Sequence, residues 1–132
     1  MSLIAQDLVA IALTNIREID ADQLLALRDG GAPVIDVREP AEYAAGHLPG
    51  AVNIPRGVLE FEVDGHPAVN CQKAGALGHR DQPVVLYCRS GGRSALAAEA
   101  LQRLGFTDPR SLAGGFTAWT AAGRNVEGGQ FS

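Results

Sequence analysis

Short apolar runs alternate with amphipathic stretches along most of the chain. Pro83-Val84-Val85-Leu86-Tyr87 has the length and β-branched content of a buried strand, and Ser94 to Leu104 carries apolar residues at helical spacing, at Ala97, Ala100, Leu101 and Leu104. Upstream, Asn15 to Ile19 alternates like a short edge strand. Asp20 with Gln23 three residues on is a capping-box signature for a helix that Gly30-Gly31 ends. Pro33 to Val37 reads as a second strand, Glu39-Pro40 opens a helix with proline at its permitted first position, and Gly46 closes it. Gly50 to Pro55 turns and forms another short strand. Arg110 to Ala113 is a further strand, Gly114-Gly115 a turn, and Phe116 to Ala122 a short helix ended by Gly123. Such alternation predicts an α/β fold, a mostly parallel sheet with helices on both faces.

Two stretches depart from this rhythm. Val58 to Val63 alternates like a strand, yet four apolar residues in six also fit one buried helical turn. Asp64 to Asp81 holds His66, His79, Cys71 and several glycines, and a structureless loop of that length is unusual, so an ordered segment or a lid over the site is expected. At the start, Ser2 to Leu13 lacks a basic lead, is interrupted by Asp7 and is too short to span a membrane. It reads as an amphipathic helix packed on the domain's own surface, with dimerisation as the alternative role. The expected organisation is an N-terminal helix over 1–14, a domain over 15–126 and a tail over 127–132, with Arg124 to Ser132 solvated.

The 132 residues suit one domain with an ordinary core. A formal net charge of −4 argues against nucleic acid as a partner, which calls for a basic face. Two cysteines, one of them assigned to chemistry below, make no structural disulfide framework, so a reducing, cytoplasmic setting is expected.

The chemistry falls between the apolar run and the helix that follows it, at Cys88-Arg89-Ser90-Gly91-Gly92-Arg93-Ser94. Cys88 stands at a strand's carboxyl end, the edge of an open α/β sheet where ligands bind. Gly91 and Gly92 let the loop curl its N–H groups inward, and Ser94 is a candidate N-cap. Such a nest binds an anion, and the first anion it meets is the Cys88 thiolate. A helix amino end and neighbouring arginines lower a thiol's pKa by one unit or several from about 8.5. A nucleophile in an anion cradle is the expected result.

This loop resembles that of the rhodanese sulfurtransferases, which often reads C-R-S-G-x-R-S. Two flanking segments resemble the same family: Asp36-Val37-Arg38 leading through Glu42-Tyr43 to the run from Gly46 to Pro55, and Gly114-Gly115-Phe116 with Trp119 and Gly123. The resemblance covers roughly residues 16 to 126. It implies a three-layer rhodanese-like fold and a sulfurtransferase that moves sulfur from thiosulfate or a similar donor through a Cys88 persulfide to a thiophilic acceptor such as cyanide or a thiol. Arg89, Ser90, Gly91, Gly92, Arg93 and Ser94 would bind the anionic donor. The partners implied are that donor and the acceptor, with a sulfur-accepting protein as a further candidate. No cofactor, metal, nucleic acid or membrane is expected.

Cysteine-dependent phosphatases and arsenate reductases are the nearest rival, because they too hold a thiolate in a loop of inward N–H groups. Their pattern has five residues between cysteine and arginine, whereas four separate Cys88 from Arg93. The shorter loop suits one sulfur atom better than a tetrahedral phosphate. A non-catalytic module that binds a partner or relays sulfur is the third alternative, weakened by retention of Cys88. Asp36 and Arg38 could touch substrate, but with Glu42 nearby a structural ion-pair network is the commoner arrangement. His47 could act as a general acid, although its turn sequence favours a hydrogen bond that fixes the turn. Cys71 could resolve a persulfide, the blander state being a free thiol without a role. Phe116 and Trp119 read as core anchors.

Overall fold

The computed structural model describes residues 2–70 and 77–128. The elements run α1 (Ala5–Asn15), β1 (Arg17–Ile19), α2 (Ala21–Asp29), β2 (Val34–Asp36), α3 (Pro40–Ala45), β3 (Val52–Asn53), α4 (Leu59–Glu62), β4 (Val84–Tyr87), α5 (Gly92–Leu104), β5 (Pro109–Leu112) and α6 (Gly115–Ala121). The five strands form one sheet in the order β1-β5-β4-β2-β3, and every pairing is parallel. The α/β prediction therefore holds. Among the described residues no helix is long and apolar enough to cross a membrane.

Central β4 explains its apolar run. Both neighbours are strands and both faces are covered, so all four of its residues are buried. Side chains alternate across the sheet: Val84, Leu86 and then Cys88 join a core with Ile35, Ile54, Ala97 and Leu101, while Val85 and Tyr87 join a second core with Leu24, Leu112 and Trp119. The parity of β4 thus sends the Cys88 side chain to the face covered by α5.

Local signals hold at several ends. Asp20 accepts from Gln23 N at 2.8 Å and Gln23 Oε1 from Asp20 N at 2.9 Å, the reciprocal box that starts α2. Pro40 opens α3 and Gly46 ends it. Around α4 the competing strand reading fails: 3₁₀ turns at Arg56–Val58 and Val63–Gly65 flank one helical turn. Leu59 and Val63, four apart, are both buried, whereas Phe61 is 88% exposed. The segment therefore follows helical spacing, with one apolar face inward.

Helix α1 packs on α5. Ala12 is buried, Asn15 Nδ2 donates to Glu99 at 3.1 Å, and Gln102 donates to the Asn15 carbonyl at 2.9 Å. The lid expected from Asp64 to Asp81 does not lie over the cradle in its described residues. Asp64 pairs with His79 and Arg80, and Arg80 binds the Leu104 carbonyl, which fixes the segment to the far end of α5. Thirteen residues of helix put that end about 18 Å from the loop. Cys71 lies outside the described residues. The start of the tail is exposed, as expected, yet tied down: His47 and Glu127 exchange backbone hydrogen bonds of 2.9 Å, and Trp119 Nε1 donates to the Asn125 carbonyl at 2.7 Å.

Candidate active site

The loop after β4 turns over the Cys88 sulfur. Gly91 has φ +111°, a left-handed conformation that side chains resist, and its N–H donates to Cys88 Sγ at 3.1 Å. Helix α5 then begins at Gly92 with Gly91 as its N-cap. Ser94 is therefore not the cap, because a left-handed glycine makes the turn three residues earlier than the polar side chain suggested. Ser94 occupies the first turn of α5, where its Oγ lies 3.2 Å from the Gly91 carbonyl and 2.7 Å from Ser111 Oγ.

These groups set the character of the thiol. Burial pushes the Cys88 pKa up, but hydrogen bonds from the Ser94 hydroxyl and from the backbone N–H groups of Ser94, Gly91 and Ser90 outweigh it and leave the thiol below its ordinary range. The residue is 1% exposed, so the sulfur sits on the floor of the loop. It is buried among donors on one side and core side chains on the other.

The two loop arginines part ways. Arg93 grips Glu42 of α3 with two hydrogen bonds, Nη1 to Oε1 at 2.8 Å and Nη2 to Oε2 at 3.1 Å. The Arg93 hydrogen bond holds the Glu42 carboxyl down to about 2 against the opposing effect of burial. Arg93 thus anchors the loop to α3 and is no free guide for anions. Arg89 makes no ion pair among the described residues. It is exposed and lines a cleft of about 360 Å³ with Arg38, Glu42, Phe116 and Thr117.

Asp36 and Arg38 form a buried pair, with Arg38 Nη2 2.7 Å from Asp36 Oδ2. Tyr87 donates to Asp36 Oδ2 at 2.7 Å and accepts from Leu48 N at 3.0 Å, and Arg38 donates to the Gly46 carbonyl at 2.6 Å. This network binds β2, β4 and the segment before β3 together. The Arg38 guanidinium also lies 4.3 Å from the Phe116 ring centroid, flooring the cleft. Glu42 stands outside the Asp36–Arg38 pair and faces Arg93 instead. His47 fixes its turn, with Nδ1 2.9 Å from the Tyr43 carbonyl and its ring stacked on Tyr43 at 3.7 Å. Trp119 is a core residue, and Phe116 packs partly buried against the same cluster.

Ser111 escaped sequence reasoning. It is a fully buried polar residue on β5 whose hydroxyl supports Ser94. The available signal was a serine within a strand of a sheet covered on both faces, where a buried hydroxyl needs a partner. Gly115, read from the sequence as part of a turn, also abuts the cysteine loop: it has φ +56°, and a Cβ there would stand 2.5 Å from the Cys88 carbonyl oxygen.

A parallel five-stranded sheet with a cysteine loop at the carboxyl end of its central strand, cradled by amides, defines a rhodanese-like domain. The family model of the Rhodanese-like domain matches residues 20–122, and the chain belongs to that family. Thiosulfate sulfurtransferase GlpE of Pseudomonas entomophila (strain L48) is 34% identical over 118 residues, covering 88% of this chain and 97% of its own. GlpE of Pseudomonas paraeruginosa is 37% identical over 105 residues, covering 80% and 84%. Among solved structures, the human single-domain sulfurtransferase TSTD1 aligns with TM-score 0.64 and 31% identity over 79% of this chain and 95% of its own. RPA3614 of Rhodopseudomonas palustris, described as a protein of unknown function and possible tyrosine phosphatase, aligns with TM-score 0.76 and 29% identity over 96% of each chain.

Proposed function

We propose that this protein, a rhodanese-type sulfurtransferase by kinship, carries a sulfane sulfur on Cys88 from thiosulfate or a similar donor to a thiophilic acceptor such as cyanide or a thiol. The Cys88 thiolate attacks the outer sulfur of thiosulfate. The donor's sulfur–sulfur bond breaks, its electron pair leaves with sulfite, and Cys88 becomes a persulfide. Attack by cyanide on the outer sulfur then releases thiocyanate and restores the thiolate; a thiol acceptor would leave as its own persulfide. Fixed N–H donors around Sγ favour both steps, because they stabilise charge on the transferred sulfur without rearranging. Arg89, exposed and without an ion pair among the described residues, draws the dianionic donor toward the loop. Thiol chemistry of this kind calls for a reducing setting, and we assign the protein to the cytoplasm.

The observation that carries this assignment is Cys88 Sγ under the Gly91 amide, with only four residues between it and Arg93. A phosphatase is the principal competitor, given the description of the R. palustris neighbour. The two separate in one experiment. Purified protein is assayed for thiosulfate-dependent thiocyanate formation and for phosphate release from an aryl phosphate, beside Cys88→Ala, and its intact mass is taken after thiosulfate. Thiocyanate formation and a gain of one sulfur, both absent in the variant, are expected. Phosphate release without sulfur loading would overturn the assignment, and neither activity would point to a partner-binding module.

A further inference from the structure

The amides at the start of α6 are occupied by the cysteine loop itself. Phe116 N donates to the Cys88 carbonyl at 2.8 Å and Thr117 N to the Arg89 carbonyl at 2.9 Å. A trans peptide points its carbonyl and its following N–H in opposite directions. With the Arg89 carbonyl drawn to α6, the Ser90 N–H is sent the other way, toward the sulfur that it stabilises. The close approach depends on Gly115. A Cβ there would stand 2.5 Å from the Cys88 oxygen and 2.8 Å from the Arg89 carbonyl carbon and oxygen.

We propose that Gly115, Phe116 and Thr117 are positioning residues for the thiolate: they hold the Cys88 and Arg89 carbonyls outward and thereby aim the Ser90 N–H at Cys88 Sγ. None of the three touches the sulfur. The proposal rests on Cys88 being the nucleophile, and it extends the site to a glycine turn 27 residues downstream, Gly115 against Cys88.

Three variants test it. Gly115→Ala drives a methyl group into the loop peptides. Thr117→Pro replaces one donor by a ring carbon that faces the Arg89 carbonyl, so it both deletes the hydrogen bond and presses on that loop peptide, at a first-turn position where helices tolerate proline and where the lost N–H serves Arg89, not the helix. Gly114→Ala is the control: it too has positive φ, at +74°, but its Cβ would press on Ala118 of its own helix at 2.6 Å and leave the loop alone. The readout is the pH dependence of Cys88 alkylation by iodoacetamide in folded protein, which needs no sulfur donor.

In Gly115→Ala and Thr117→Pro the midpoint should move up by about one pH unit, which slows alkylation about tenfold below it. Gly114→Ala should lose thermal stability with its midpoint unmoved. An unchanged midpoint in folded Gly115→Ala and Thr117→Pro, or an equal shift in Gly114→Ala, would sink the proposal. Should Gly115→Ala fail to fold, Thr117→Pro decides alone. Failure of the sulfur-transfer function shows separately, as a wild type that gains no sulfur from thiosulfate.

Discussion

Arg93 of the cysteine loop and Glu42 of α3 are joined by two hydrogen bonds across 51 residues of sequence. That clasp holds the first turn of α5 to the opposite wall of the site. It also leaves Arg89 as the loop arginine without an ion pair among the described residues.

Glu42→Gln should loosen the loop and alter the acid limb of stability. The Glu42 pKa is depressed in the folded protein to about 2, so its contribution is fully present above the ordinary carboxylate range and is lost as pH falls toward that value. Thermal melts from pH 7 down to pH 2 should show wild type and variant converging as the pH drops. A constant gap throughout would mean that the pair contributes nothing through its charge.

Arg89→Ala should raise the KM for thiosulfate severalfold with little change in kcat at saturation, since an exposed cation guides the donor without touching the transferring sulfur. Added salt should weaken donor use in the wild type and much less in the variant. Arg93→Ala should instead lower thermal stability, because it leaves Glu42 without its partner. The reverse pattern in the two variants would reassign the arginines.

Ser94→Ala should push the Cys88 thiol toward its ordinary range, because the hydroxyl is one of the groups that lower it. The pH midpoint for alkylation should rise, while the backbone donors retained from Ser90 and Gly91 keep it below that of a free thiol. Ser111→Ala should cost about 1 kcal/mol of stability through the lost Ser94 contact. A midpoint that stays put in Ser94→Ala would remove the hydroxyl from the site.

Tyr87→Phe should destabilise the domain by about 1–3 kcal/mol. The phenol bridges Asp36 Oδ2 and the Leu48 N–H, and its loss leaves a buried donor unsatisfied. Chemical denaturation measures the cost, and sulfur transfer by the remaining folded enzyme should be intact.

The strand–helix alternation, the α2 capping box and the cysteine loop were legible because each is written in neighbouring residues. β4 announced itself by burial on both faces, and C-R-S-G-G-R-S by its glycines and thiol. The clasp between Arg93 and Glu42, the Ser94–Ser111 contact and the His47–Glu127 bridge were not, since each joins positions that only the folded sheet brings together. Ser94 misled as a cap because side-chain propensity pointed to it while the positive φ of Gly91 settled the turn. Around Val58 to Val63 both periods matched the apolar pattern, and the inward pair Leu59 and Val63 decided for a helix.

The depth of Cys88 shapes what kind of courier this protein makes. At 1% exposure Cys88 sits so deep that a sulfur carried there, as proposed, would ride below the reach of bulky thiols in solution, with few collisions able to strip it away prematurely. Delivery would then favour acceptors slender enough to follow the same narrow path, the recipient being chosen by how far it can reach as much as by how eagerly it reacts.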